Sequence, residues 1–234
     1  MTERQLPHGP RTPHRARRAV AVALLAAIVG CHAARVLAPR PPLRAASAAL
    51  YAVDVEFAEP LDRASAQDLS HYLIYAAANP AVKPAVSSAT LIDTLYGRTV
   101  QLLVPSWFGD SSVDRVDMTV ETIGVLAVDG TSTGNRTVTF RTGLGYASPM
   151  QALFDSRCSA CHNGSRADGS YRTDSYAALF GNGITPPADV IAGDPKCLTV
   201  VKCKPRNSMF NAADLSYLDF EMIRNWVEVY SARP

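Results

Sequence analysis

The chain has 234 residues, 47% hydrophobic and 19% charged, which suits one or two globular domains with sizeable cores. Its formal net charge of +2 is unevenly placed: residues 1–30 hold five arginines and one glutamate, leaving 18 basic and 20 acidic residues beyond them. With those 30 residues set aside, no basic footprint for nucleic acid remains.

The first segment reads as an export signal. "RQLPHGPRTPHRARR" is a basic leader and "AVAVALLAAIVG" a 12-residue apolar stretch. A helix needs about 20 residues to span a bilayer, so this stretch is too short to stay there. It ends in Ile28, Val29, Gly30 and Cys31, which resembles the lipobox of bacterial lipoproteins. That resemblance implies cleavage before Cys31 and acylation of Cys31, giving a membrane anchor. A plain signal peptide cut elsewhere is the alternative. The mature protein is then a periplasmic or cell-surface lipoprotein, in a compartment where disulfides persist. His32 is not the aspartate linked to inner-membrane retention in that family, which favours the outer membrane.

Residues 31–48 carry Pro39, Pro41 and Pro42 without sustained periodicity and read as a tether. From 49 to 145 the pattern alternates with period two. Val53, Val55 and Phe57 alternate with Asp54 and Glu56; Val116, Met118 and Val120 alternate with Asp117, Thr119 and Glu121; Val138 and Phe140 close the set. Turn material such as "AANPAVKP", "WFGDSS" and "DGTSTGN" separates the runs, which indicates an all-β sandwich. Residues 49–145 resemble a bacterial Ig-like domain, through "VEFAEPLDRASAQDLSHYLIY" and "VDGTSTGNRTVTF". Asp129 and Asn135 stand where calcium ligands or turn formers are both chemically sensible; turn chemistry is the simpler reading.

From 146 to 234 the pattern is helical. "MQALFDSRC" is a short helix, and "TDSYAALFG" another with Thr173 or Asp174 as N-cap and Gly181 as stop. Ser216 and Asp219 form a capping-box pattern ahead of a helix expected over 217–231. Phe220, Ile223, Val227 and Tyr230 lie on one stripe of it, with Met222, Trp226 and Val229 on the next. Two apolar stripes require a large hydrophobic cover, and a haem ring would provide one.

Cys158, Cys161 and His162, in "CSACH", carry the chemistry. Zinc would want four ligands, and the other pair, Cys197 and Cys203, is too widely spaced for a knuckle. A redox dithiol would want a βαβ setting, which is missing. Covalent haem c fits: two thiols two residues apart add across the two vinyl groups, and the next histidine coordinates the iron. Residues 147–231 resemble a class I-type cytochrome c domain of bacterial lipoproteins, through "AGDPKCLTVVKCKPRNSMFNAADLSYLDFEMIRNWVEVY" as well as "CSACH". The resemblance implies a small all-α domain around one haem, with thioether bonds to Cys158 and Cys161 and His162 as proximal ligand. Met209 falls where that family places the distal methionine, although Phe210 stands where it usually has proline. Of the remaining cysteines, Cys31 goes to lipid, and a disulfide between Cys197 and Cys203 would stiffen the methionine loop.

The expected fold is thus an all-β Ig-like sandwich followed by a small all-α cytochrome c domain. The expected function is a membrane-tethered carrier of single electrons with no substrate turnover. The alternative is a haem sensor or structural haem module with an open sixth site. Lys196, Lys202, Lys204 and Arg206 would form a basic collar for an acidic redox partner. His71 is the other mature-chain histidine besides His32 and His162, and belongs to the β region.

Overall fold

Alternating aliphatic residues build the first half of the protein, as expected. The computed structural model describes residues 41–48, 51–105, 115–180 and 189–234. The signal segment, Cys31 and His32, the "WFGDSS" turn and Gly181 all lie outside them. Four strands form one antiparallel sheet in the order β1 (Leu43–Ser47), β2 (Ala52–Phe57), β5 (Thr99–Leu103), β4 (Ser88–Leu91). Three more form a second antiparallel sheet in the order β3 (Tyr72–Ala76), β6 (Asp117–Thr122), β7 (Arg136–Arg141). Val53, Val55, Phe57, Val100 and Leu102 of the first sheet share one core with Ile74, Met118, Val120 and Phe140 of the second. A one-turn helix, α1 (Arg63–Ala66), is capped by Asp62, whose side chain accepts from the Ser65 amide.

The tether reading fails at its end. Leu43–Ser47 pairs residue by residue with Val53–Phe57, so β1 belongs to the first sheet. Pro41 and Pro42 lead directly into the strand, and "LRAAS" carries no alternation to betray it.

Helices fill the second half: α2 (Met150–Arg157), α3 (Tyr176–Leu179), α4 (Leu198–Cys203), α5 (Ser208–Ala212) and α6 (Tyr217–Glu228). The α6 capping box is present, with Ser216 Oγ accepting from the Asp219 amide at 3.1 Å and Asp219 Oδ2 from the Ser216 amide at 2.9 Å. The helix stops at Glu228, three residues short of expectation. Left-handed Ser231 and Ala232 turn the chain back, and Trp226 Nε1 donates to the Arg233 carbonyl at 2.9 Å. At α3 the N-cap is Ser175, not Thr173 or Asp174.

The serial arrangement of an all-β sandwich followed by a separate all-α domain is corrected here. Pro41–Pro234 forms one unit in which two antiparallel sheets and the helices are joined, an α and β mixture. The reason lies on β2. Its polar residues, Asp54 and Glu56, do not face water; they are 1% and 4% exposed. The face they occupy is packed by α6. Arg44 of β1 bonds both Glu56 and Asp219 of α6, and Ser47 Oγ lies 3.0 Å from the Tyr230 hydroxyl. Ala46 of β1 belongs to the helical core itself.

The cover of α6 is corrected too. Ile223, Trp226 and Val227 are fully buried, packed with Met150, Leu153 and Phe154 of α2 in one apolar cluster. The Phe154 and Trp226 rings meet edge to face at 5.9 Å. Protein covers both stripes, so their width is no argument for a prosthetic group.

Candidate functional site

The "CSACH" segment begins where α2 ends. Cys158 is the C-cap of α2, its amide bonded to the Phe154 carbonyl at 2.7 Å. The Cys158 carbonyl then accepts from the amides of both Cys161 and His162, each at 3.0 Å, which closes the motif into a tight turn. The loop beyond is pinned by side chains. Asn163 Oδ1 accepts from the amides of Ser165 and Arg166, and Asp174 Oδ2 accepts from the Gly164 amide at 2.8 Å. The Thr173 amide returns to the His162 carbonyl at 2.9 Å, so the loop ends beside its start.

His162 is oriented by that return. Its Nδ1 lies 3.3 Å from the Tyr171 carbonyl. A carbonyl only accepts, so Nδ1 carries the proton and donates, and Nε2 keeps the free lone pair. The Tyr171 ring stands edge-on to the imidazole at 5.2 Å. Its hydroxyl lies 2.9 Å from Thr199 Oγ1 of α4, and Thr199 Oγ1 donates to the Asp189 carbonyl at 2.7 Å. With the threonine proton so engaged, Tyr171 is the donor. Burial holds the Tyr171 phenol well above its ordinary range and raises the Asp189 carboxyl, with the His162 charge opposing the latter. Both groups gain from being neutral.

A cavity of about 250 Å³ opens beside this chain of bonds, lined among others by His162, Tyr171, Thr199, Lys202, Cys203 and Met209. The two expected iron ligands, His162 and Met209, therefore share one cavity. Met209 does not sit in a loop, as expected; it is on the short helix α5. Cys158 and Cys161 are half-buried and in no disulfide, and Cys158 packs against the helical core. His71 is elsewhere, its Nδ1 2.9 Å from the Ser65 carbonyl on the turn before β3. Asp129 serves a turn, its Oδ1 accepting from the Thr131 amide and hydroxyl.

The expected disulfide is not formed. Cys197 and Cys203 are both buried free thiols, the N-cap and the last residue of α4. At 1.5 Å rise per residue, six residues of helix hold their Cα atoms about 9 Å apart, beyond the reach of a disulfide. Burial first, then the neighbouring Cys158 and Cys197, pushes the Cys203 thiol far up. The basic collar divides as well. Lys202 lines the His162 cavity, while Lys204 and Arg206 line a second cavity, of about 530 Å³, with Tyr217, Glu221 and Arg224.

Tyr171, Thr199 and Asp189 were not singled out from the sequence. Each is a common residue whose part depends on the return of the loop, and no spacing announces it.

No family model matches the chain, and no curated protein matches it. Among solved structures, domains 1–6 of surface layer protein SbsC align at 21% identity over 44% of this chain and 14% of theirs, with a TM-score of 0.36. The S-layer protein rSbsC(31-844) aligns at 22% identity over 44% of this chain and 13% of its own, TM-score 0.36. The N-terminal part of SbsC aligns at 19% identity over 55% and 28%, TM-score 0.36. Likeness at this level carries no argument about activity. The chain spans less than a third of each of those proteins.

The identification as an Ig-like plus class I-type cytochrome c lipoprotein is corrected: sheets and helices form one unit rather than two domains in series, and no family model matches the chain. The electron-carrier function, and the haem-sensor or structural-module alternative derived from the same resemblance, fall with it, which leaves the haem c cofactor resting on these residues alone. Among the described residues no group of three or more His, Cys, Asp or Glu side chains is placed to hold a metal ion.

Proposed function

We propose that this is an exported protein that takes up one haem c, attached at Cys158 and Cys161 and approached by His162. The observation that carries the reading is the Nδ1–Tyr171 carbonyl bond, which leaves Nε2 of His162 as a lone-pair donor on a residue lining a cavity. An oriented imidazole directly after two thiols two residues apart suits thioether attachment with nitrogen ligation. Met209, which lines the same cavity, is the second residue proposed to hold the iron. When bound, the haem would supply the iron; this chain's residues supply the thiols, the fixed tautomer and an apolar surround. No substrate turnover is assigned to the site.

Export is inferred from the leader and apolar stretch of residues 1–30. Acylation of Cys31, with the membrane as partner, is the finer proposal. No protein partner is assigned, because three of the cations proposed to recruit one are divided between two cavities, Lys202 lining one and Lys204 and Arg206 the other.

The test is intact mass of the full chain from a host that matures c-type haem proteins. The expected result is one haem increment and a haem stain that survives denaturation, both lost in Cys158→Ala/Cys161→Ala. A wild-type mass without the increment overturns the reading.

A further inference from the structure

The seam between the first sheet and α6 holds two carboxyl groups that the haem site does not use. Asp54 of β2 is 1% exposed and Glu221 of α6 is 2% exposed. Asp54 Oδ1 accepts from Gln101 Nε2 of β5 at 3.0 Å. Its Oδ2 is buried with no hydrogen-bond partner among the described residues. An ionised carboxylate in that position would leave a bare charge in an apolar layer, a costly arrangement that protonation removes. Glu221 is better served: Arg224 bonds it, and Tyr217 donates to it.

We propose that buried Asp54 takes up a proton in the seam between the first sheet and α6, with Glu221 of α6 as the negative neighbour that favours it, and that this makes the seam a pH-sensitive latch. The surroundings decide which carboxyl is protonated first. Arg44 of β1 is committed to Glu56 and Asp219, and Arg157 of α2 also lies on Asp219, so neither cation serves Asp54. From α6, Glu221 repels Asp54 while Arg224 partly offsets the repulsion, and Glu228 adds a further negative charge next to Glu221. Asp93 of the β4–β5 turn has its carboxylate occupied by the amides of Leu95, Tyr96 and Arg98, and adds negative charge near Tyr217. Burial, with Glu221 second, pushes the Asp54 carboxyl from 3.8 up to about 7, and burial raises Glu221 as well. The 530 Å³ cavity lined by Tyr217, Glu221 and Arg224 reaches the Glu221 side of the seam.

The folded state binds the extra proton and the unfolded or opened state does not. The latch is therefore fully closed below about pH 4. It weakens as pH rises to about 7, and stays weak but constant above that, where both states are ionised. Any state that hydrates Asp54 gains about tenfold in population for each pH unit inside that window.

The experiment compares denaturant unfolding of the full chain and of Asp54→Asn from pH 4 to 8.5. The expected ratio of wild-type to variant unfolding constants climbs about tenfold per pH unit up to about 7, then levels. Parallel profiles overturn the proposal. Should Asp54→Asn not fold, Glu221→Gln is read instead by isotope-edited infrared of the Asp carboxyls. Loss of one negative neighbour should move the high-pH Asp titration downward; an unmoved titration, or no protonated Asp at pH 5.5, overturns the latch.

Discussion

In the β half, Val53, Val55 and Phe57 meet Ile74, Met118 and Val120 across two sheets, and the core closes on aliphatic packing. In the helical half, Trp226, Phe154 and Ile223 close a core of their own, but beside it the Cys203 thiol, a phenol, a threonine and a histidine line a cavity. One half fills its interior; the other leaves part of it lined with reactive and hydrogen-bonding groups. The difference locates chemistry in the helical half, while the seam between the halves, with Asp54, Glu56, Asp219 and Glu221 all buried, is where charge resides. A packed core is indifferent to pH and cofactor. The seam and the cavity are not.

The largest effect should come from emptying either core. Trp226→Ala removes a fully buried ring touching Phe154 and Tyr146 and should cost about 3–5 kcal/mol. Ile74→Ala, equally buried in the β core, should cost about 2–5 kcal/mol. If the halves form one cooperative unit, as the single Pro41–Pro234 unit indicates, both variants unfold in one transition by far-ultraviolet circular dichroism. Two transitions, each moved by only one variant, would separate the halves energetically.

Asp219 sharpens the comparison at the seam. It is fully buried, completes the α6 capping box, and meets Arg44 from the sheet and Arg157 from α2. Asp219→Ala should cost about 3 kcal/mol or more in denaturant unfolding, since it takes one of two carboxylate partners from Arg44 and uncaps the α6 N-terminus. Arg44→Met, which removes charge but keeps the stem's packing, should cost less than that. A larger loss for Arg44→Met would show that the sheet, not the cap, depends on the contact.

The seam also shows what the sequence carries and what it does not. Alternation in "YAVDVEF" located β2 and its core-facing residues, because period two is intrinsic to a strand. It assigned Asp54 and Glu56 to water, because polarity marks a face without saying what lies on it. The reverse error befell α6. Its two apolar stripes were visible, but a sequence shows the width of an apolar face and not its cover, so α2 and the sheet were mistaken for a prosthetic ring. The Ser216–Asp219 box was readable because capping is local. The convergence of His162, Met209 and Cys203 on one cavity was partly readable from "CSACH". Tyr171, Thr199 and Asp189 join it through the loop's return, which no local signal encodes.

The smallest effects come from single hydroxyls, one in each half. Tyr72 donates to the Ala66 carbonyl at 2.8 Å within the β half, and Tyr171 donates to Thr199 Oγ1 in the helical half. Both rings stay buried in the Phe variants, so the comparison isolates one oxygen in each. Tyr72→Phe takes the donor from a carbonyl on a fully buried residue, and should cost about 1–2 kcal/mol. Tyr171→Phe leaves Thr199 Oγ1 still donating to Asp189, so the acceptor keeps one bond and the loss should be about 0.5–1 kcal/mol. The Tyr171 carbonyl that orients His162 is backbone and survives the change, so haem attachment, read by intact mass, should be unaltered. A Tyr171→Phe variant that folds with near-normal stability yet fails to acquire haem would mean that the phenol acts on the site directly, not through the loop's shape.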